Sequence, residues 1–158
     1  MKSILIIGKA DAGKSTTMRE VCKRLKPTEV FKLNTDTEFF KNSKLEKAEI
    51  QDIFNDTFII KVKGKLILVV VGAPTEQRIK LTILIEICIE IEIELSFLLV
   101  SKRSVERIKG FDTVTEISTK SNLILSQKIY RIADENYKDT QEWNKRIDSI
   151  VKLVNDNI

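Results

Sequence analysis

The chain has 158 residues, a formal net charge of +4, no histidine and two cysteines. Its length suits one domain spanning residues 1–158, and 42% apolar residues suffice for a core. The missing histidine excludes Ser–His and Cys–His nucleophile pairs and His-ligated zinc, while two cysteines cannot build a four-thiolate zinc site or a disulfide-dense scaffold.

Chemistry is thereby left to carboxylates, Lys, Arg, Ser/Thr, backbone groups or an oxygen-ligated metal. The positive charge comes from scattered lysines, which reads as a solvated surface and disfavours a nucleic-acid partner. Cys22 and Cys88 read as free thiols in a reducing compartment. Ile4–Ile7 is too short for a signal peptide. Leu81–Val100, the richest apolar stretch, carries Glu86, Glu90, Glu92 and Glu94, too many charges to span a bilayer. These features predict a cytoplasmic protein with no membrane partner.

Along the chain, Ile4-Leu5-Ile6-Ile7 has the continuous apolar run of a strand buried on both faces. A helix is predicted from about Gly13 to Leu25, with Met18, Val21, Cys22 and Leu25 on one face and Pro27 marking its end. Val30–Leu33 reads as a second strand with Asn34-Thr35-Asp36 at its C-terminal end. Ser43-x-x-Glu46 has capping-box spacing and predicts a helix with Leu45, Ile50, Ile53 and Phe54 facing inward. Phe58–Val62 and Lys65–Val71, separated by Lys63-Gly64, predict a hairpin.

Residues 79–95 fit both a strand, by alternation, and a helix, by the stripe of Leu84, Ile87, Cys88 and Ile91. A crossover between neighbouring parallel strands at Leu66–Val71 and Phe97–Val100 requires a helix, so one is predicted over Thr75–Ile91. Ser101–Lys109 is read as a short helix closed by Gly110, and Leu123–Leu125 as the last strand. The C-terminal helix starts at Asp139 as N-cap, buries Trp143, Ile147, Ile150, Val151 and Val154, and offers Glu142/Arg146 and Asp148/Lys152 pairs. Alternating strands and helices indicate a three-layer α/β domain.

The chemistry concentrates in Gly8-Lys9-Ala10-Asp11-Ala12-Gly13-Lys14-Ser15, which fits G-x-x-x-x-G-K-[ST] between a predicted strand and a predicted helix. The two glycines let a loop curl so that backbone N–H groups point inward at an anion, and the helix dipole adds to that site. In this pattern Lys14 reaches the β- and γ-phosphates and the Ser15 hydroxyl ligates Mg²⁺. Asp11 is electrostatically out of place beside phosphates, and a side-chain bond to the loop backbone is the expectation for it.

On these residues the chain resembles the P-loop NTPases, and the element order extends the resemblance to most of its length. The resemblance implies a mostly parallel central sheet, with the 58–71 hairpin as an antiparallel edge. It also implies Mg²⁺ and a nucleoside triphosphate held by Gly8, Lys9, Ala10, Asp11, Ala12, Gly13, Lys14, Ser15 and Thr16. The acidic residue such enzymes carry at the end of a second strand is missing here. Val69-Val70-Val71-Gly72-Ala73-Pro74 has no carboxylate until Glu76.

Three readings follow. The first is an NTP hydrolase, resembling in its size and hairpin the Ras-like GTPases, with Glu76 or Gln77 orienting water. The guanine-reading Asn-Lys-x-Asp is absent after the last strand, and Asn144–Asp148 has one residue too many, so ATP is the default. The second is a small-molecule kinase: Asn34–Glu38 looks like the Asp-x-Asp stretch of shikimate-kinase-like enzymes, with Asp36 as general base or metal ligand. Arg78, Arg103 and Arg107 follow strand ends and are candidates to stabilise transferring charge. The third is a non-catalytic nucleotide-binding module that acts through a protein partner.

Overall fold

The computed structural model describes residues 1–158 throughout. Seven strands form one sheet in the order β3-β2-β4-β5-β6-β1-β7, namely β1 (Lys2–Gly8), β2 (Glu29–Asn34), β3 (Lys44–Lys47), β4 (Thr57–Val62), β5 (Lys65–Val70), β6 (Leu95–Arg103) and β7 (Asn122–Lys128). The runs Ile4–Ile6, Ile67–Val70 and Phe97–Val100 are fully buried, because β1, β5 and β6 lie side by side in parallel at the centre.

Alternate side chains of those strands enter two cores. Ile4, Ile6, Val69 and Leu99 meet α1 (Lys14–Arg24) and α5 (Gln141–Asp156) on one face. Leu5, Val70, Leu98 and Val100 meet α3 (Leu81–Glu90) and α4 (Thr113–Lys120) on the other. The β5-to-β6 crossover is helical, as parallel neighbours require. The architecture is α/β, but the sheet is mixed and not mostly parallel as expected: β5·β6, β6·β1 and β1·β7 are parallel, whereas β3·β2, β2·β4 and β4·β5 are antiparallel.

The 58–71 hairpin exists as β4–β5, but it lies inside the sheet and not at its edge. The edge on that side is β3, whose four residues are all exposed and begin and end in lysine, a composition that discourages pairing with another chain. The helix predicted from Ser43-x-x-Glu46 is therefore wrong. Pairing of Lys44–Lys47 with Phe31–Asn34 overrides the local signal, and Glu46 instead accepts a hydrogen bond from Asn34 Nδ2 at 3.0 Å. Ser43 Oγ accepts the Asp36 N–H at 2.8 Å. Leu45 and Phe54 are exposed and Ile53 alone of the predicted inward residues is fully buried. The capping box is formed by Glu49 and Asp52 around a single 3-10 turn.

The 75–91 segment is helical but broken. A short α2 (Pro74–Gln77) ends at Arg78, whose φ of 58° is left-handed, and α3 begins at Leu81. Ser101–Arg103 continue β6 beside Ile6–Gly8 and do not start a helix. The helix after Gly110 is α4, with Asp112 as N-cap accepting the Thr115 N–H at 3.2 Å. The α5 N-cap is Thr140, one residue beyond Asp139, and its Oγ1 accepts the Trp143 N–H.

Neither predicted i,i+4 pair on α5 forms. Arg146 turns inward to donate to the Tyr130 carbonyl at 2.7 Å, and Lys152 pairs with Asp156. Asp148 and Asn144 both accept from Arg24, at 2.9 and 3.0 Å, so the stretch Asn144–Asp148 fastens α5 to α1. No helix is long and apolar enough to cross a membrane.

Cys22 is on the buried face of α1 and Cys88 on that of α3, both free, and burial pushes each thiol up to about 12. Little thiolate is available at neutral pH. Native protein at pH 7.5 is expected to react with a thiol reagent at least about a hundredfold more slowly than denatured protein, as read by absorbance. Equal rates would contradict the burial of both side chains.

Candidate functional site

Gly8 closes β1 and the chain then turns tightly into α1. A Cβ on Gly8 would meet that of Ala12 at 2.9 Å, and Gly13 at φ +89° takes the left-handed conformation that glycine adopts without penalty. Asp11 is also left-handed, at φ 64°. Its carboxylate makes no hydrogen bond to the loop backbone, contrary to expectation; its place is explained by backbone shape, which Asp tolerates better than most residues.

Lys14 opens α1 and folds back across the loop. Its Nζ donates to the carbonyls of Gly8 and Lys9, both at 2.9 Å. Burial pulls its pKa below the usual value, while Glu76, with Oε1 at 3.8 Å, acts in the opposite direction. Arg103 Nε lies 3.5 Å from the same Glu76 oxygen. Arg103 ends β6 directly beside Gly8 in register, so sheet pairing itself sets this cation at the loop. Glu76 thus faces both Lys14 and Arg103 from the start of α2.

Ser15 Oγ donates to Asn55 Oδ1 at 3.0 Å, a contact that the sequence pattern did not reveal. Asn55 stands before β4 with φ +46°, and the end of β5 fixes it there. Val71 and Gly72 N–H groups both donate to the Asp56 carbonyl, at 3.0 and 3.1 Å. Gly72 packs so closely that a Cβ there would come within 2.1 Å of the Asn55 carbonyl oxygen. The only sequence signal for Asn55 was its turn-forming residue type just before a strand.

Gln77 is committed elsewhere: its Nε2 donates to the Gly72 carbonyl at 2.6 Å and its amide meets Thr57 Oγ1. Between the two candidates for orienting water, the one that faces Lys14 is Glu76. Asp36 is not brought to the loop. Its Oδ1 accepts the N–H groups of Glu38 and Phe39 at 3.0 and 2.8 Å, closing its own turn. It follows β2, which is four strand spacings from β1, about 19 Å across the sheet. Arg78 is exposed at the α2–α3 break.

The loop separates two open clefts. One, of about 480 Å³, is lined by Lys9, Ala10, Glu76, Arg103 and Arg107 among others. The other, of about 350 Å³, lies toward α5 and includes Asp11, Gly13, Thr16, Arg131 and Arg146. Every residue predicted along Gly8–Thr16 lies in this strand–loop–helix unit, which combines backbone N–H groups, a helix N-terminus, one lysine and one hydroxyl. Comparison of the chain with protein-family models, with curated proteins and with solved structures finds no match.

Proposed function

We propose that the chain is a P-loop NTPase-like domain in which the loop Gly8–Ser15 binds a Mg²⁺–nucleoside triphosphate, ATP in preference to GTP, and that it hydrolyses the nucleotide. The observation that carries this reading is Lys14. A mostly buried ammonium folded against two carbonyls of a glycine-bounded loop, at a helix N-terminus, is poised to exchange those carbonyls for phosphate oxygens. The preference for ATP rests on the missing guanine-reading pattern, since Asn144 and Asp148 are engaged by Arg24.

The donors beside Ser15 fit Mg²⁺, which takes oxygen ligands and keeps several waters and phosphate oxygens. The Ser15 hydroxyl and the Asn55 amide oxygen, 3.0 Å apart, would hold it. When bound, the ion neutralises charge on the β- and γ-phosphates. Glu76 faces both Lys14 and Arg103 and is the carboxylate available to orient water against a bound triphosphate. Arg103 supplies a second positive charge where the leaving phosphate becomes more negative.

Phosphate release from Mg²⁺–ATP by wild-type protein is expected to exceed that of Lys14→Ala protein. Glu76→Gln should slow it up to about fivefold, the size of one partly solvated charge contact of about 1 kcal/mol converted to rate. Release no faster than the Lys14→Ala control would leave a non-catalytic binding module. A second reading, transfer of the phosphoryl group to a small molecule, is favoured by the cationic cleft beside Glu76.

A further inference from the structure

The 480 Å³ cleft on the Glu76 side of the loop carries more positive than negative charge. Lys9, Arg103 and Arg107 face a single carboxylate there, Glu76, which is already shared between Lys14 and Arg103. Lys9 and Arg107 form no ion pair. The wall that carries Arg107 is anchored: Glu106 accepts the Thr113 N–H at 2.8 Å and the Thr113 hydroxyl at 2.5 Å, tying the β6–α4 loop to the first turn of α4. The same wall includes Val105 and Ile108, and Val105 is 61% exposed. A surplus of cations beside exposed aliphatic carbon, in a space of small-molecule size, suits an organic anion better than an inorganic ion.

We propose that this cleft binds a second substrate, a small organic molecule bearing a carboxylate or phosphate group, held by Arg107 and Lys9 next to the γ-phosphate. This rests on the nucleotide reading above and specifies its acceptor. An acceptor oxygen forms a new bond to the γ-phosphorus. The bond from that phosphorus to the β–γ bridging oxygen breaks, its electron pair leaves on the diphosphate, and the acceptor's proton passes to solvent. Hydrolysis is then the same transfer made to water while the cleft is unfilled.

The test uses full-length protein saturated with Mg²⁺ and a non-hydrolysable ATP analogue, with succinate and phenyl phosphate as separate probes. Saturable shifts of the backbone amide signals of Arg103–Ile108 are expected for at least one probe, and the stronger binder distinguishes carboxylate from phosphate. Arg107→Gln should weaken that probe tenfold or more while changing affinity for the ATP analogue less than twofold. No response to either probe in analogue-loaded protein overturns the proposal. So does an Arg107→Gln protein that loses the analogue as strongly as the probe, because the cleft then belongs to the triphosphate. If the analogue fails to bind but the probes still shift Arg103–Ile108, the nucleotide reading falls and the anion site stands.

Discussion

Lys14→Ala protein is expected to bind Mg²⁺–ATP at least about a hundredfold more weakly than wild type in calorimetric titration, because two charge-assisted contacts of about 1.5–3 kcal/mol each are lost. The fold should survive. Lys14 touches only loop carbonyls and Glu76, and the α1 core contacts come from Met18, Val21 and Cys22. Unchanged affinity with an unchanged circular-dichroism spectrum would sink the nucleotide reading.

Lys14 also makes binding proton-linked. Burial holds its pKa below the usual 10.5, and a triphosphate beside it raises that value again, so the complex binds more protons than the free protein. Affinity should therefore fall as pH rises through the free-protein value. For stability the sign is opposite. The unfolded chain holds the proton up to about 10.5, so the cost of burying this charge is relieved as pH rises toward that value.

Gly72→Ala, just beyond the end of β5, is the most disruptive glycine substitution expected. Its Cβ would lie 2.1 Å from the oxygen and 2.6 Å from the carbon of the Asn55 carbonyl, and backbone cannot rotate away as a side chain can. A cost of about 3 kcal/mol, or about 6–12 °C in Tm, follows from overpacking a tight site. Gly64→Ala is the control. Gly64 is left-handed at φ +76° but has nothing within 4 Å of the added atom, so only about 1 kcal/mol of backbone strain is due. Displacing Asn55 separates it from Ser15, so Gly72→Ala should also weaken Mg²⁺-dependent ATP binding, whereas Gly64→Ala leaves it intact. Equal Tm losses for the two variants would contradict the close approach of Gly72 to Asn55.

Much of this fold is local and therefore legible in sequence. β1, α1, the β4–β5 turn and the buried stripe of α5 each follow from a short pattern that agrees with its tertiary place. The failures lie where a partner far along the chain decides. Lys44–Lys47 has a helix-start spacing and becomes a strand because β2 is there to pair with it. Ser101–Arg103 looks like a helix start and stays extended because β1 runs alongside.

The site divides in the same way. Gly8–Ser15 is contiguous and readable, and Glu76 is legible as the first carboxylate after the buried Val69–Val71 run. Asn55 was not, since its tie to Ser15 spans forty residues and depends on the lack of a side chain at Gly72. The position of β6 between β1 and β5, which puts Arg103 next to Gly8, is a sheet-order property that no local pattern encodes.

The two buried thiols have a use that follows from the sheet lying between them. Cys22 belongs to the face packed by α1 and α5, and Cys88 to the face packed by α3 and α4. Each becomes reactive only when its own helices lift, so labelling the two sites separately reports the opening of each layer without any added probe. A ligand gripped by the start of α1 should slow labelling at Cys22 more than at Cys88. The protein therefore carries built-in reporters that can tell which side of the sheet a bound molecule braces.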